Sequence, residues 1–290
     1  MKLLITADDA GYCKERDRGI FRLINEGVLK NTSLLVNFEG VGDTVESLKH
    51  FQSKYELCVG LHINFTEGKP ISSNVTTLVD DFGNMKGKMG FRESWLNGII
   101  EPSDIVNELE SQLELFKTLM GYYPSHIDSH QHTHQIKSIA TLIIPILQKY
   151  GIKSVRLPCS IHQSYPPRGV SPFLKSVYEQ ALEVYNIYVG AGFMVPSGFI
   201  GLNLMGNGST EKVVQELNFI LEKIKPEELS EFYVEWMVHP GFVNLTTDDF
   251  SASKERELEM VLLLSIKSIL EKNFKDVTLL SWDKIVSRFT

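Results

Sequence analysis

Residues 1–27 read MKLLITADDAGYCKERDRGIFRLINEG, and this stretch holds the unit that repeats along the whole chain. A short β-rich run, Lys2 to Ala7, ends on the adjacent carboxylates Asp8 and Asp9, and a helical pattern follows from Lys14 to Glu26. Working outward, further strands are expected at Thr32 to Val36, Cys58 to Phe65, Ser125 to Ser129, Lys153 to Leu157, Gly198 to Leu202, Glu231 to Val238 and Val277 to Leu280. The intervening helices are expected at Thr44 to Phe51, Pro102 to Met120, Ile136 to Tyr150, Pro172 to Tyr185, Thr210 to Ile224 and Ser253 to Glu271. About eight strand–helix units in 290 residues match an α/β fold of the (β/α) barrel kind, with a doubly wound open sheet as the other arrangement the rhythm allows. Either architecture gathers functional groups at the carboxyl ends of its strands. No linker divides the chain, so a single domain over residues 1–290 is expected.

Composition narrows the class of function. The chain is 43% hydrophobic and 22% charged, an ordinary globular balance that needs no disulfide to hold a core. Its 29 Lys and Arg against 36 Asp and Glu give a net charge of -7, interspersed along the sequence, which disfavours a nucleic-acid partner. No uninterrupted apolar run is long enough to span a membrane, and MKLLITADD is too short for a secretory signal. Cys13, Cys58 and Cys159 form no close pair, which fits reduced thiols and a soluble cytoplasmic protein. No G-x-G-x-x-G or P-loop follows the first strand, so a nucleotide cradle is not expected.

Two long polar loops, Thr66 to Met89 and Pro158 to Ser171, interrupt the rhythm and are expected to wall an active site. Within the first, Asp80-Asp81-Phe82-Gly83-Asn84 reads as a turn rather than a catalytic pair, because Asp, Gly and Asn suit turn geometry. The chemistry lies elsewhere. Asp8 and Asp9 sit where two adjacent carboxylates call for a cation between them, although alone they could cap a helix. His62 ends the third strand, and alone it would read as a core histidine. Residues 125–134, SHIDSHQHTH, hold four histidines and an aspartate, a density that packing does not explain. In extended geometry His126, Asp128, His130, His132 and His134 share one face, whereas in a helical turn only His130 and His134 do, so spacing alone does not choose a ligand. His239 closes the seventh strand before Pro240-Gly241. Taken together, these strand ends supply one carboxylate and two imidazoles for a divalent cation with positions open to water and substrate.

The sequence resembles the YdjC-like carbohydrate deacetylases, whose best-known members remove acetyl groups from chitooligosaccharides. The likeness rests on Ala7-Asp8-Asp9-Ala10-Gly11, Gly60-Leu61-His62, the run His126 to His132 and Met237-Val238-His239-Pro240-Gly241. It implies a distorted (β/α) barrel akin to that of the polysaccharide deacetylases, and a homodimer. It also implies a divalent metal ion held by Asp9, His62 and His130, with Asp8 as general base. Ala10 departs from the bulky aromatic usual in the family and puts the shape of the pocket beside the metal in question. Val155-Arg156-Leu157-Pro158 also resembles the family, and Arg156 is expected to orient Asp8 or a substrate oxygen.

The implied chemistry is amide hydrolysis. A cation acidifies water and polarises the acetyl carbonyl, Asp8 takes the proton, and His239 is the candidate acid for the departing amine. The ion is Mg2+ or Zn2+; two imidazoles favour Zn2+, while supply in the cell often decides. Phe65, Trp95 and Tyr165 are the aromatic side chains expected to stack on the sugar. A metal-dependent phosphoesterase is an alternative, though phosphate sites generally need more carboxylates and cationic side chains than are found here. A non-catalytic sugar-binding regulator is another, but it would need neither base nor acid.

Overall fold

The computed structural model describes residues 1–161, 163, 166–167, 169–225, 228, 231–245, 249–274 and 277–287. Its strands are β1 (Lys2–Ala10), β2 (Asn31–Leu34), β3 (Cys58–Ile63), β4 (His126–Ser129), β5 (Ser154–Val155), β6 (Gly198–Ile200), β7 (Tyr233–Val238) and β8 (Thr278–Leu279). The helices are α1 (Lys14–Asn25), α2 (Val41–Lys54), α3 (Gly87–Leu96), α4 (Pro102–Met120), α5 (Lys137–Lys149), α6 (Pro172–Gly190), α7 (Thr210–Leu221), α8 (Asp249–Ala252), α9 (Glu255–Leu264), α10 (Ile266–Asn273) and α11 (Trp282–Val286). All ladders between strands are parallel, in the order β5-β4-β3-β2-β1-β7-β6, with β8 against the start of β1. Parallel strands need a helical crossover on the outer face, so β2, β3, β4 and β7 are buried along their full length, as their near-continuous apolar runs require.

The sheet curls without closing by a ladder. Among the described residues β5 and β6 do not pair, and the loop after β5 spans the seam. There Ser160 Oγ accepts from the Phe199 N–H at 3.0 Å, and the Ile161 N–H donates to the Ser197 carbonyl at 3.0 Å. The fold is a distorted half-barrel, as expected.

Where the pattern departs from expectation, the reasons are local. β1 runs on through Asp8 and Asp9, because its register against β2 slips between Ala7 and Ala10 and Asp9 takes a left-handed φ of 65°. Adjacent strand residues normally face opposite ways; this bulge turns both carboxylates toward one cavity. The helix expected over Ser253 to Glu271 is interrupted at Ser265 into α9 and α10. The first long loop gives way to α3 at Gly87, and α11 was not expected at all. Asp80 does build a turn, its Oδ1 accepting from the Phe82 and Asn84 N–H groups at 2.9 and 3.0 Å.

β8 and α11 plug the amino end of the half-barrel. Trp282 is fully buried, its Nε1–H on Thr6 Oγ1 at 3.3 Å and its ring stacked on His126 at 5.1 Å. Gly60, opposite on β3, cannot be larger: a Cβ there would lie 2.3 Å from His126 Nε2. Among the described residues no helix is long and apolar enough to cross a membrane.

Candidate active site

At the carboxyl end the strands converge on Asp9. Its Oδ1 lies 3.2 Å from His62 Nε2 and 3.0 Å from His130 Nδ1. Donors bound to one cation at roughly 2.0–2.2 Å sit about 3.0–3.5 Å apart, as Asp9 Oδ1 does from each ring nitrogen, and one ligand atom from each of Asp9, His62 and His130 lies within 4.8 Å of the others. The far side of each ring faces a carboxylate. His62 Nδ1 is 2.7 Å from Asp128 Oδ1, and His130 Nε2 is 3.2 Å from Glu67 Oε2. Such partners fix the proton on the outer nitrogen and turn the inner lone pair toward the ion position.

The electrostatics agree. Burial works against a charged His62, yet Asp128, then Asp9 and Asp8, outweigh it and raise its pKa to about 10; His130 is raised in the same sense by Asp9 and Glu67. Burial would likewise raise Asp9, but Arg16 and His130 overcome it and hold the carboxyl well below its usual range. The Asp9, Asp128 and Glu67 carboxylates against the two rings favour positive charge between Asp9 and the imidazoles, where a divalent ion would supply it.

Beside this group lies Asp8. Arg156 Nη1 binds its Oδ2 at 2.5 Å, while Oδ1 is buried and has no hydrogen-bond partner among the described residues. Burial lifts the Asp8 pKa to about 6 against the pull of Arg156. His239 follows β7, with Nε2 3.8 Å from Asp8 Oδ2 and its backbone N–H on Glu259 Oε2 at 3.0 Å. Burial, with Arg256 and Arg16 nearby, holds its ring neutral against the pull of Asp9. Asp8, Asp9, His62, His130 and His239 open on one cavity of about 480 Å³, walled also by Tyr12, Phe173 and Phe250.

A family model described as YdjC-like protein matches residues 2–272 of this sequence. The chain belongs to the YdjC-like family. Among relatives, a human protein named carbohydrate deacetylase is 32% identical over 283 residues, covering 91% of this chain and 84% of the human one. One from Xenopus laevis with the same name is 30% identical, covering 91% and 92%. One from Clostridium beijerinckii, also so named, is 27% identical and covers 96% and 100%. The fold is matched by a solved structure from Enterococcus faecalis, that of a candidate cellobiose-phosphate cleavage protein, with TM-score 0.76, 22% identity and 98% of both chains covered.

In this YdjC-like chain the expected residues fall into three groups. Asp8, Asp9, His62, His130 and His239 meet at the cavity. Arg156 comes close without reaching it. It is 1% exposed, and its nitrogens face Asp8 at 2.5 Å, Asp128 at 2.9 Å and Glu235 at 2.8 Å, so it orients Asp8 and does not line the cavity. The aromatic expectations fare worst. Phe65 is a core residue packed on Phe91, Trp95 donates to Ser138 Oγ away from the cavity, and Tyr165 lies outside the described residues.

The histidine-rich run also divides. It does not stay extended: after His130 the chain turns through Gln131 and His132 at φ of 55° and 58°. His134 is structural, Nδ1 on Ser129 Oγ and Nε2 donating to the Arg156 carbonyl, each at 2.6 Å. His126 belongs to the plug, and His132 lines the cavity.

Arg16 and Glu67 were not anticipated. Arg16 did leave a trace, because it shares a helix face with Ile20 and Leu23, a charge on an apolar stripe. Glu67, on a loop after β3, left none.

Proposed function

We propose that this chain is a divalent-metal-dependent deacetylase, removing the acetyl group of an N-acetylated sugar or short oligosaccharide and releasing acetate. The observation that carries the reading is the convergence of Asp9 Oδ1, His62 Nε2 and His130 Nδ1 next to an Asp8 oxygen without a hydrogen-bond partner. The carbohydrate deacetylase names of the relatives support the same chemistry.

In this reading Asp9, His62 and His130 hold one ion, Mg2+ or Zn2+, which when bound polarises the acetyl carbonyl and acidifies water. Asp8 Oδ1 accepts the proton of the attacking water, while Arg156 keeps Oδ2 fixed so that the free oxygen points into the cavity. As the C–N bond breaks, the nitrogen must gain a proton, because an amine anion does not leave in water. His239 Nε2, 3.8 Å from Asp8 Oδ2, is the relay: its ring, neutral at rest, takes up the proton that Asp8 has drawn from water and passes it to the departing nitrogen. Tyr12, Phe173 and Phe250 offer flat apolar faces for the sugar ring, while Lys88, Glu67 and Gln131 offer polar contacts at the mouth. Asp128 and Glu67 orient the two imidazoles from behind.

The same reading takes residues 1–290 as a single domain, supported by one sheet that runs from β1 to β8. It takes the protein as cytoplasmic, supported by three cysteines that form no disulfide, and as a homodimer, on the strength of the resemblance alone.

The test is acetate release from a panel of N-acetylated mono- and oligosaccharides, with chelator or with added Mg2+ or Zn2+. Metal-dependent acetate from at least one sugar is expected. Hydrolysis of aryl phosphates without acetate release from any sugar would turn the assignment toward a phosphoesterase, and sugar binding without turnover would turn it toward a regulator.

A further inference from the structure

Asp9 has two oxygens, and only one faces the histidines. The other, Oδ2, is bound by Arg16 Nη1. Arg16 is itself fixed from several directions. Its Nε and Nη2 both donate to Ser251 Oγ, at 3.0 and 2.6 Å, and the guanidinium lies 3.9 Å from the centre of the Tyr12 ring and 5.2 Å from that of Phe250. The side chain is 3% exposed. A planar fork held by a hydroxyl and two ring contacts has little freedom to release its carboxylate.

We propose that Arg16 is a positioning residue that limits Asp9 to a single donor oxygen, so that an ion held by Asp9, His62 and His130 keeps coordination positions open for water and the acetyl oxygen. The inference rests on the metal reading above. Carboxylates can chelate a hard cation through both oxygens, and a catalytic ion instead needs few protein donors and vacant positions. Here Oδ2 is occupied before any ion arrives. Arg16 also sets a positive charge on the far side of the ligating carboxylate, which opposes cation binding. The wild-type site therefore gives up affinity in exchange for open positions. A structural staple between α1 and α8 would behave in the opposite way, since loosening it could only disorder Asp9 and weaken binding.

The two roles differ in sign. Arg16→Met keeps side-chain length but removes charge and donors, freeing Oδ2. With Mn2+ alone as the probe, free-ion counting gives its dissociation constant and water-proton relaxation reports the waters on the bound ion. Arg16→Met is expected to bind Mn2+ roughly tenfold more tightly or better, from the lost repulsion and the added oxygen, with lower relaxation enhancement as that oxygen displaces a water. Weaker or unchanged binding with unchanged relaxation overturns the proposal.

If the variant does not fold, the wild-type protein crystallised with Mn2+ decides. One Asp9 oxygen on the ion, with Oδ2 still on Arg16, is expected, and two oxygens on the ion overturn the proposal while leaving the metal reading intact. No Mn2+ at Asp9, His62 and His130 overturns both.

Discussion

Two buried histidines on neighbouring strands, His62 on β3 and His126 on β4, take opposite charge preferences within one half-barrel. Burial disfavours the charged form of both. Around His62 the Asp128 carboxylate, with Asp9 and Asp8, reverses that effect and raises the pKa to about 10. Around His126 burial prevails over the pull of Asp128 and lowers it to about 4; the ring stacks on Trp282, and among the described residues its Nδ1 meets only the Cys58 thiol, at 3.5 Å. At the amino end His126 is therefore a neutral packing residue of the plug, and at the carboxyl end His62 belongs to a charged cup that suits a cation. Between these two equally buried rings, the carboxylate in contact with His62 makes the difference.

The sharpest way to break this contrast is at the cup. Asp8→Asn should retain bound metal and lose activity by roughly 10² to 10⁴-fold, because the amide fills the same space but cannot take a proton from water. Steady-state kinetics beside metal analysis measure both; a loss under about tenfold removes Asp8 from the role of base.

At the plug the expected effect is on stability. Gly60→Ala sets a methyl against the His126 ring and should cost about 1–3 kcal/mol in denaturant unfolding, while the metal content of the folded fraction stays unchanged. An unchanged midpoint would mean that the plug yields, and that Gly60 is not required by close packing.

The smallest effect sharpens the comparison through pH. His126 and His134 both have folded-state pKa values lowered to about 4 from an ordinary 6.5, burial being the main cause. Between those values the unfolded chain binds more protons than the folded one. The stability they contribute is complete above pH 6.5 and is lost as the pH falls toward 4, at no more than about 1.4 kcal/mol per pH unit for each ring. His126→Gln should flatten this slope in urea titrations repeated across the range, and an unaltered slope would mean that His126 is not buried neutral.

The strand–helix rhythm made the α/β class legible, because each parallel strand shows as a short apolar run and each crossover as a helical pattern; the choice of a distorted barrel over an open sheet came from the family resemblance. The seam at β5 and β6 was not legible, since strands of two and three residues joined across a gap by loop contacts leave no periodic trace. At the site, strand-end position marked Asp8, Asp9, His62 and His239 as candidates, whereas His130 was singled out from its histidine-rich run by the family resemblance alone. Sequence could not show that a bulge at Asp9 aims both aspartates inward, or that the turn after His130 separates His132 from His134; both depend on left-handed backbone at non-glycine residues. Nor could it tell that Arg156 lies behind Asp8, or that the cavity's aromatic walls are Tyr12, Phe173 and Phe250, because local pattern does not record which distant segments meet.

The central claim, that Asp9, His62 and His130 hold one catalytic ion, is tested most directly by metal content per chain in the wild-type protein and in His130→Ala and His132→Ala, each with its fold checked by circular dichroism. The account predicts one divalent ion per chain in the wild type and in His132→Ala, and none in His130→Ala. Full occupancy in His130→Ala, or loss of the ion in His132→Ala, would contradict it.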